Sequence, residues 1–388
     1  MSVTATNFQD APHSAWGFHH VPELLPVATV SRGEGPVWEL PRHDVGLGAL
    51  QVPLAGGRSA MLAELDAASD VDGIAVLHRG RLVHEAYGNG MAPGDSHILM
   101  STTKSFTGTL AGILIDGGAL AETGRVTDFL PALKGTAYEG ATVRHLLDMR
   151  VGLDFSEDYD DPQSDFAYMD AACGWRPPIR PGAPDCLADF LPTMRARPPH
   201  GGPFHYVSPN AVVLGWVLEA ATGERFADLL SRLIWQPLGA EFDGHLVRDS
   251  RGASQTEGGL NVALRDLARF GELHRLGGAV GGRRIVPAAW IADMQTNGDA
   301  TAWDAGTMAA MMPGHRYRSC WYVDFSHPHR PYFTAGAFGQ SVFVDPVAEV
   351  VVARLSCFSG DEDARFEEMF RTFHAIAHAL HGPNLHGG

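Results

Sequence analysis

The stretch MSTTKSFTGTLAGILIDGG, residues 100 to 118, holds a lysine in a chain that otherwise relies on arginine. Lysine occurs only at positions 104 and 134, although the chain has 29 lysines and arginines together. An arginine keeps its proton near neutral pH, whereas a buried lysine can lose it and act as a base. The stretch therefore suggests a chemical role for Lys104.

The spacing of Ser101 and Lys104 supports that role. The stretch predicts a helix that ends at Gly117 and Gly118, and residues three apart on a helix are neighbours. The positive end of the helix dipole and burial among apolar side chains both favour a neutral amine. A neutral lysine can take the serine proton, which makes Ser101 a candidate nucleophile. Because two lysines would match this spacing by chance about one time in ten, the motif needs support elsewhere.

A tyrosine stands in the loop before another predicted helix, in GGPFHYVSPNAVVLGWVLEAATG, residues 201 to 223. If Tyr206 lies near the serine and the lysine, its phenol can relay a proton to a leaving amine. A tyrosine at such a position more often serves packing, and on this motif alone that alternative stays open.

A third stretch, YFTAGAFGQSVFVDP, residues 332 to 346, has small residues beside a predicted strand. Such residues let a substrate carbonyl approach the backbone, where an N–H group can donate to a developing oxyanion. A glycine-rich turn between two strands would look the same.

Strand patterns stand near both ends of the chain, and helical patterns lie between them. Residues 73 to 88 predict a hairpin that turns at Arg79-Gly80, and residues 1 to 60 predict an extended surface segment ending in a short helix near 58 to 68. The later predicted strands cover 319–325, 340–346 and 349–358, and the predicted helices cover 101–118, 141–149, 208–223, 261–278 and 361–380.

This order predicts an α+β fold and excludes the alternating pattern of a doubly wound sheet. An antiparallel sheet would be built from both chain ends, residues 1–100 and 261–388, and flanked by helices. A mainly helical domain, residues 101–260, would be inserted between them, with the active site at the junction.

Composition and charge limit the possible partners. The formal charge of −16 argues against nucleic acid or an anionic membrane. The sequence has no run of 18 uncharged apolar residues and no signal-peptide pattern, so we expect a cytoplasmic protein. The four cysteines lack CxxC or zinc-finger spacing, which favours reduced, structural thiols.

Other catalytic patterns are missing from the sequence. It has no Gly-x-Ser-x-Gly, no His-Glu-x-x-His and no phosphate loop, so we expect no cofactor. His374, His378 and His381 fall at helical spacing, but no acid or cysteine completes a metal site, and a surface or packing role is favoured over metal binding.

Together the three motifs resemble the serine penicillin-recognising enzymes, which include class C β-lactamases, DD-peptidases and related esterases. The family pattern has three parts. Ser-x-x-Lys corresponds to residues 101–104, and Tyr-x-Asn or Tyr-x-Ser corresponds to 206–208. Lys/His-Thr-Gly corresponds to 334–336. Within this family the likeness extends to the 6-aminohexanoate-dimer hydrolases. It is carried by residues 12–32, 156–162, 173–176, 204–210 and 339–346.

The resemblance implies roles for particular residues. Ser101 would be the acylated nucleophile, Lys104 its base and Tyr206 the proton relay, and the backbone N–H groups of Ser101 and Ala337 would form the oxyanion hole. The implied substrate-binding positions are Tyr159, Asp170, Trp175, Ser208 and Glu257. The segment 154–170 holds seven acids. They could bind an ammonium group, although a solvated acidic loop is favoured for most of them other than Asp170.

Three positions depart from the family pattern. Thr334 replaces the lysine or histidine of the β-lactamases, so efficient β-lactamase activity is not expected. Glu257 stands where the oligomer hydrolases carry a neutral or histidine side chain. Ser208 in place of the asparagine favours esterases and amidases.

The sequence thus predicts a serine hydrolase that cleaves small linear amides of the aminohexanoate type through an acyl-enzyme, and esters also. One alternative is a carboxylesterase, and another is a penicillin-binding module that is acylated without turnover. The partner would be a small-molecule amide or ester, and the resemblance suggests a homodimer.

Overall fold

The computed structural model describes residues 2–197, 199–360 and 362–382. Within these residues the strands are Val27–Val30 (β1), Gln51–Pro53 (β2), Ser59–Met61 (β3), Val71–His78 (β4), Arg81–Tyr87 (β5), His97–Ile98 (β6), Leu153–Asp154 (β7), Arg195–Ala196 (β8), Gly244–Val247 (β9), Leu260–Val262 (β10), Ala279–Val280 (β11), Arg283–Arg284 (β12), His315–Arg318 (β13), Trp321–Asp324 (β14), Tyr332–Phe333 (β15), Ser341–Asp345 (β16) and Val350–Ser356 (β17).

The α-helices of the same residues are mostly in the middle of the chain. They are Ser14–Gly17 (α1), Val21–Leu24 (α2), Leu62–Asp66 (α3), Thr103–Asp116 (α4), Val126–Phe129 (α5), Val143–Leu147 (α6), Asp165–Cys173 (α7), Leu187–Phe190 (α8), Pro209–Thr222 (α9), Phe226–Leu230 (α10), Gln236–Leu238 (α11), Leu264–Arg275 (α12), Ala288–Thr296 (α13), Ala300–Asp304 (α14) and Glu362–His381 (α15).

The main sheet is antiparallel and joins the two ends of the chain. Its order is β13-β14-β15-β16-β17-β4-β5, so the early hairpin β4–β5 pairs with the last strand, β17. The predicted hairpin with its turn at Arg79-Gly80 is confirmed, and so is a sheet assembled from both ends of the chain. The domain boundaries near residues 100 and 260 stay a prediction.

Helices cover both faces of this sheet because its strands are apolar on both sides. On β16, Val342 and Val344 face Gly271 of α12, where an added methyl would lie 2.7 and 3.9 Å from them. The intervening Phe343 faces the other way and packs against Phe373 of α15, with ring centroids 5.6 Å apart. The alternation follows the two-residue period of a strand.

Most residues of the N-terminal segment are exposed or partly exposed, but some of its side chains enter the core. Phe8 and Phe18 are fully buried, and the ring of Phe8 packs edge-on against Phe18 and Trp175. The segment also supplies β1, which pairs with β9 in a second, four-stranded sheet, β1-β9-β10-β6. The Pro and Gly content suggested an irregular exposed chain and gave no sign that Phe8 and Phe18 belong to the core. The short helix predicted at 58–68 is α3, preceded by β3.

Helix α4 is packed unusually closely at its glycines. A methyl group on Gly112 would lie 2.5 Å from the indole of Trp290 in α13, and one on Gly108 would lie 2.5 Å from the Ser319 carbonyl oxygen. Both distances are too short for a real side chain, so the glycines permit the approach. The middle of α4 is thereby packed closely against α13 and the turn between β13 and β14.

Two sequence expectations about the whole chain can be compared with the structure. All four cysteines are buried and free, which confirms the expectation of unpaired thiols. Among the described residues, no helix is both long and apolar enough to cross a bilayer.

The close approach at Gly112 leads to a stability prediction. Gly112→Ala should lower the free energy of unfolding by about 1–2 kcal/mol, because overpacking against Trp290 costs up to ~3 kcal/mol and outweighs the ~1 kcal/mol that alanine gains in a helix. Urea unfolding measures the difference. Gly35→Ala is the control, since a methyl there meets no atom within 4 Å. A Gly112→Ala protein as stable as the wild type would contradict this account of the packing.

Candidate active site

Ser101 sits in a tight turn that leads directly into α4. The turn is a 3₁₀ helix over Met100–Thr102, and Met100 has a φ of +46°. A positive φ is uncommon for a non-glycine residue and marks backbone strain that the surrounding fold must hold. The strained residue precedes Ser101 and therefore sets the direction of its backbone.

The amine of Lys104 lies directly beside the Ser101 hydroxyl. Nζ is 2.7 Å from Ser101 Oγ and 2.9 Å from the backbone carbonyl oxygen of Glu257, and the lysine is only 2% exposed. Burial lowers the pKa of Lys104 to about 8, against the opposing effect of the Glu157 and Glu257 carboxylates. Near neutral pH a useful fraction of this amine is neutral.

The segment that supplies the Glu257 carbonyl is anchored to three helices. Thr107 of α4 donates to the Thr256 carbonyl at 2.8 Å, and the Thr256 hydroxyl donates to the carbonyl of Ala211 in α9, also at 2.8 Å. The Gln255 amide donates to the Cys173 carbonyl at the end of α7. These bonds fix the acceptor that holds the lysine amine.

Tyr206 reaches the same point from the loop before α9. Lys104 Nζ lies 5.0 Å from the centroid of the Tyr206 ring, and Tyr206 lines the same cleft as Ser101 and Ser208. Burial raises the pKa of Tyr206 above its usual value, so the phenol keeps its proton. The structure therefore brings together Ser101, Lys104 and Tyr206, which are far apart in sequence.

The backbone around Ala337 lies against that of Ser101. A methyl group on Gly336 would be 3.2 Å from the Ser101 nitrogen and 2.6 Å from the Leu99 oxygen. Phe338, which follows Ala337, has a φ of +62°. Strained residues therefore stand next to both Ser101 and Ala337, the two residues whose N–H groups the family resemblance implies for the oxyanion hole.

Thr334 joins the sheet to the start of α4. Its hydroxyl lies 2.9 Å from that of Thr102 and accepts from the backbone N–H of Val342 at 2.8 Å. Thr102 also donates to the Gln340 carbonyl. Thr334 is 1% exposed, so it does not present a polar group to a ligand as a lysine at that position would.

A large cleft opens over Ser101, Lys104 and Tyr206, with a volume of about 1920 Å³. Its wall includes all five predicted substrate-binding residues, Tyr159, Asp170, Trp175, Ser208 and Glu257. The cleft also receives Gln9 and Asp10 from the N-terminal segment, which the sequence did not suggest.

The two acidic residues predicted to bind substrate, Asp170 and Glu257, differ in their hydrogen-bond and ion-pair partners. Asp170 accepts from the Gln9 amide at 3.3 Å and lies 3.5 Å from Nε of Arg176, which also pairs with Asp10. Burial raises the pKa of Asp170 to about 6, and Arg176 opposes the shift. The nearby guanidinium means that the charge of Asp170 is already partly balanced.

The carboxylate of Glu257 has fewer hydrogen-bond partners than that of Asp170. One carboxylate oxygen accepts only from the Cys173 thiol, at 3.5 Å, and the other is buried with no hydrogen-bond partner among the described residues. Burial raises the pKa of Glu257 to about 7. A buried acceptor without a partner is costly unless a ligand supplies a donor.

The other predicted contacts are aromatic or structural. Trp175 is 6% exposed and packs on Phe8, whereas Tyr159 is half exposed and stands edge-on to Phe166. Ser208 is buried at the first turn of α9, where it donates its hydroxyl to Glu157.

Glu157 is the site residue that the sequence did not single out. It is one of the seven acids of 154–170, most of which were expected to be solvated. Its carboxylate accepts from the N–H of Ser208 at 3.0 Å and from the Ser208 hydroxyl, and it faces Lys104. No spacing rule marks it, because its partners lie about 50 residues away in sequence.

The histidines predicted to play no metal role are spread along α15. The His374 ring packs on His327 at 5.1 Å, and the His381 ring packs on His329 at 4.9 Å, while His378 is exposed. In the described residues, the one group close enough to share an ion is Asp185, Cys186 and Asp189.

Known proteins resemble this chain in sequence and in fold. A family model described as Beta-lactamase matches residues 59 to 375. The chain belongs to the beta-lactamase family. The predicted family is thereby confirmed, and so is the prediction that the chain is a hydrolase of this family.

Named relatives within the beta-lactamase family cover nearly the whole chain. The 6-aminohexanoate-dimer hydrolase of Paenarthrobacter ureafaciens is 34% identical over 366 residues, which is 93% of this chain and 90% of the relative. A solved structure from Bacillus anthracis, provisionally assigned as a 6-aminohexanoate-dimer hydrolase, is 25% identical with a TM-score of 0.89, covering 98% and 97% of the two chains.

A more distant beta-lactamase-like structure shows the fold alone. EstCE1, a hydrolase with promiscuous acyltransferase activity, is 20% identical with a TM-score of 0.61, covering 80% of this chain and 94% of its own. These matches confirm the predicted fold, a β-lactamase-like α+β architecture with an antiparallel sheet flanked by helices.

The lowered pKa of Lys104 leads to a pH prediction. If the neutral amine is the base, kcat/KM should rise about tenfold per pH unit below about pH 8 and level off above it, because protonated Lys104 cannot accept the serine proton. A pH–rate profile on a nitrophenyl ester measures this midpoint.

The only other lysine of the sequence is the control. Lys134 is exposed, so Lys134→Met should keep the wild-type profile, whereas Lys104→Met should lose activity at every pH. A midpoint near the ordinary lysine value of 10.5 would contradict a desolvated base.

Proposed function

We propose that this chain is a serine hydrolase that cleaves small linear amides of the 6-aminohexanoate type through an acyl-enzyme, and that it also accepts esters. The observation that carries the proposal is the 2.7 Å contact of the buried Lys104 amine with the Ser101 hydroxyl, beside Tyr206. A nucleophile, a base with a lowered pKa and a protonated phenol are the groups that acyl transfer requires.

Acylation begins with attack of Ser101 Oγ on the substrate carbonyl carbon, while Lys104 Nζ takes the hydroxyl proton. The carbonyl oxygen becomes an oxyanion, which the backbone N–H groups of Ser101 and Ala337 stabilise. The C–N bond then breaks as Tyr206 gives its phenolic proton to the leaving nitrogen and receives the proton held by Lys104. The products are a Ser101 ester and a free amine.

Deacylation uses the same groups in the opposite direction. A water molecule gives a proton to the neutral Lys104 amine as its oxygen attacks the ester carbonyl. The same two N–H groups stabilise the second oxyanion, and Ser101 leaves with a proton returned from the lysine. The free acid departs and the resting site is restored.

The acidic side of the cleft supports a substrate with an ammonium group. Glu257 has a buried carboxylate oxygen that no described residue hydrogen-bonds, and Glu157 and Asp170 line the same cleft. An aminohexanoyl unit has a cationic amine at the end of an apolar chain, which fits this combination. The relative from Paenarthrobacter ureafaciens has the matching name, and its 34% identity over most of the chain adds support.

The two other functions have less support. A penicillin-binding module would need a cation for the β-lactam carboxylate, but Thr334 is committed to Thr102 and Val342. Ser208, which replaces the asparagine of the β-lactamase pattern, fits a carboxylesterase and an amidase equally and does not separate them. Ester cleavage demands less of Tyr206, because an alkoxide or phenolate leaves more readily than an amide nitrogen.

The mechanism leads to a prediction for Ser101→Ala. The wild type should release amine from the linear aminohexanoate dimer and should also hydrolyse a nitrophenyl ester, and the variant should lose both activities by at least ~10³-fold. Amine release and nitrophenol absorbance are the measurements.

Each other outcome selects a different function. Cleavage of the ester alone would move the proposal to a carboxylesterase. Stoichiometric labelling of Ser101 by a penicillin without product release would favour the non-turnover module. Persistent activity in Ser101→Ala would overturn the mechanism.

The unpartnered carboxylate leads to a prediction for Glu257→Gln. The KM for the aminohexanoate dimer should rise about tenfold or more, because a charge-assisted hydrogen bond contributes ~1.5–3 kcal/mol. The matched control is an amide of the same length whose acyl chain lacks the amine, and its KM should change little. Measurements at pH 9, above the value of about 8 for Lys104, keep the base neutral in both proteins. Equal KM changes for the two substrates would contradict amine binding at Glu257.

A further inference from the structure

We propose that the leaving amine of the substrate lies in an apolar arm of the cleft, so that the preferred substrates are amides of an aminoacyl unit with a neutral, apolar amine. The inference rests on the proposed amidase function and names its substrate class. The apolar arm is the part of the cleft wall formed by Met308, Met311, Met312, Tyr322, Phe333 and Phe370.

Two parts of the cleft wall differ in chemistry and come from different parts of the chain. The N-terminal segment and residues 157–170 supply acids, which are Asp10, Glu157, Asp158, Asp160, Asp161 and Asp170. The apolar arm comes from β14, β15, α15 and residues 308–312. An ammonium group is stabilised beside the acids, whereas an apolar chain gains most by covering the arm. The cleft therefore fits a substrate with one cationic and one apolar half.

The side chains of the arm already pack against one another. The rings of Tyr322 and Phe333 stack with centroids 5.4 Å apart, and the Phe370 ring lies 4.3 Å from that of Phe333. The Tyr322 hydroxyl donates to the Met308 sulfur at 3.6 Å. Met311 is 54% exposed, the highest value among the exposed large apolar side chains of the described residues. Because methionine adapts to ligands of different shape, the arm can cover an alkyl or an aryl amine.

A chain of ring contacts links the arm to Tyr206. The ring of Phe204 lies 6.5 Å from that of Tyr206 and 5.0 Å from that of Tyr317. The Tyr317 ring in turn lies 4.8 Å from that of Tyr322, a member of the arm. Tyr206 protonates the leaving nitrogen in the proposed mechanism, so that nitrogen lies beside its phenol and its substituent lies near the arm. The ammonium-bearing acyl chain then extends toward Glu257.

The lysine and arginines of the described cleft wall offer little to a carboxylate on the leaving amine. Lys104 is the base, Arg371 pairs with Glu367 of the same helix, and Arg176 pairs with two of the acids. A carboxylate in the arm would therefore lose its hydration without gaining a free cation among these residues. The linear aminohexanoate dimer has such a carboxylate, whereas the N-hexyl amide of 6-aminohexanoic acid has a methyl group in its place. The arm therefore favours the hexyl amide.

A purely structural role for the arm is the competing explanation. Tyr322 and Phe333 are buried and belong to the core of the protein. Met311 is different, because its exposed side chain covers little of that core. Substitution of an exposed residue usually has a small effect on stability, so variants of Met311 separate ligand binding from packing.

The first test compares two substrates of the wild type, the N-hexyl amide of 6-aminohexanoic acid and the linear dimer. The kcat/KM, measured from loss of substrate by chromatography, should be about tenfold or more higher for the hexyl amide, because the dimer must bury a carboxylate. The two substrates share the ammonium-bearing acyl unit and have leaving chains of equal length. The comparison therefore isolates the charge of the leaving group.

Met311→Lys should shift this preference toward the dimer. The ratio of kcat/KM for the hexyl amide to kcat/KM for the dimer should fall about three- to tenfold, because the new ammonium pairs with the carboxylate and apolar surface is lost. A ratio taken within one protein cancels any effect of the added charge on the protonation of Lys104. Met61→Lys is the matched control: Met61 is 38% exposed and lies outside the cleft wall, so the wild-type ratio should be kept.

Met311→Ala is a second variant that adds no charge. Its kcat/KM for the hexyl amide should fall about threefold, because less apolar surface covers the hexyl chain, while the value for the dimer should change less. Equal changes for the two substrates would contradict a contact between Met311 and the leaving chain.

Several outcomes would overturn the inference. If the wild type cleaves the dimer as well as the hexyl amide or better, the arm does not select the leaving group, and the amidase function still stands. A Met311→Lys ratio equal to that of Met61→Lys would mean that the leaving chain does not reach the arm. If the wild type cleaves neither amide but hydrolyses a nitrophenyl ester, the proposed amidase function fails and the inference fails with it.

Discussion

The buried amine of Lys104 is the constraint on which the rest of the site depends. An amine with 2% exposure has lost almost all its contacts with water, so its hydrogen bonds must come from the protein. The Ser101 hydroxyl and the Glu257 carbonyl provide them, and each acceptor is fixed by a different part of the chain. Burial makes the lysine a base near neutral pH. Because the buried amine needs both acceptors, it also requires the segments that carry Ser101 and Glu257 to meet beside it.

Close packing of α4 satisfies this requirement. Gly112 lets the helix approach Trp290 of α13, and Thr102 joins its first turn to Thr334 at the end of β15. The turn between β15 and β16 that carries Ala337 therefore lies against the backbone of Ser101. The strained backbone at Met100 and Phe338 is held in place by the same contacts.

The acidic residues of the cleft affect both the protonation of Lys104 and the binding of a cationic substrate. Glu157 and Glu257 each raise the pKa of Lys104, while desolvation lowers it more. A cleft with too many acids would keep the lysine protonated, and one with too few would offer little to an ammonium group of a substrate. Asp170 is balanced by Arg176, so its negative charge adds less to this competition than its position in the cleft suggests.

The sequence by itself determined the Ser101 and Lys104 pair, the α+β order and the hairpin at Arg79-Gly80, because these depend on spacing and periodicity over a few residues. Only the tertiary structure decided that Phe8 and Phe18 are buried, that Glu157 contacts Ser208 and that one carboxylate oxygen of Glu257 has no partner in the part of the chain that the structure describes. Those features arise from contacts between residues far apart in the chain, where burial and the nearest charge depend on how separate segments pack. No local pattern contains that information.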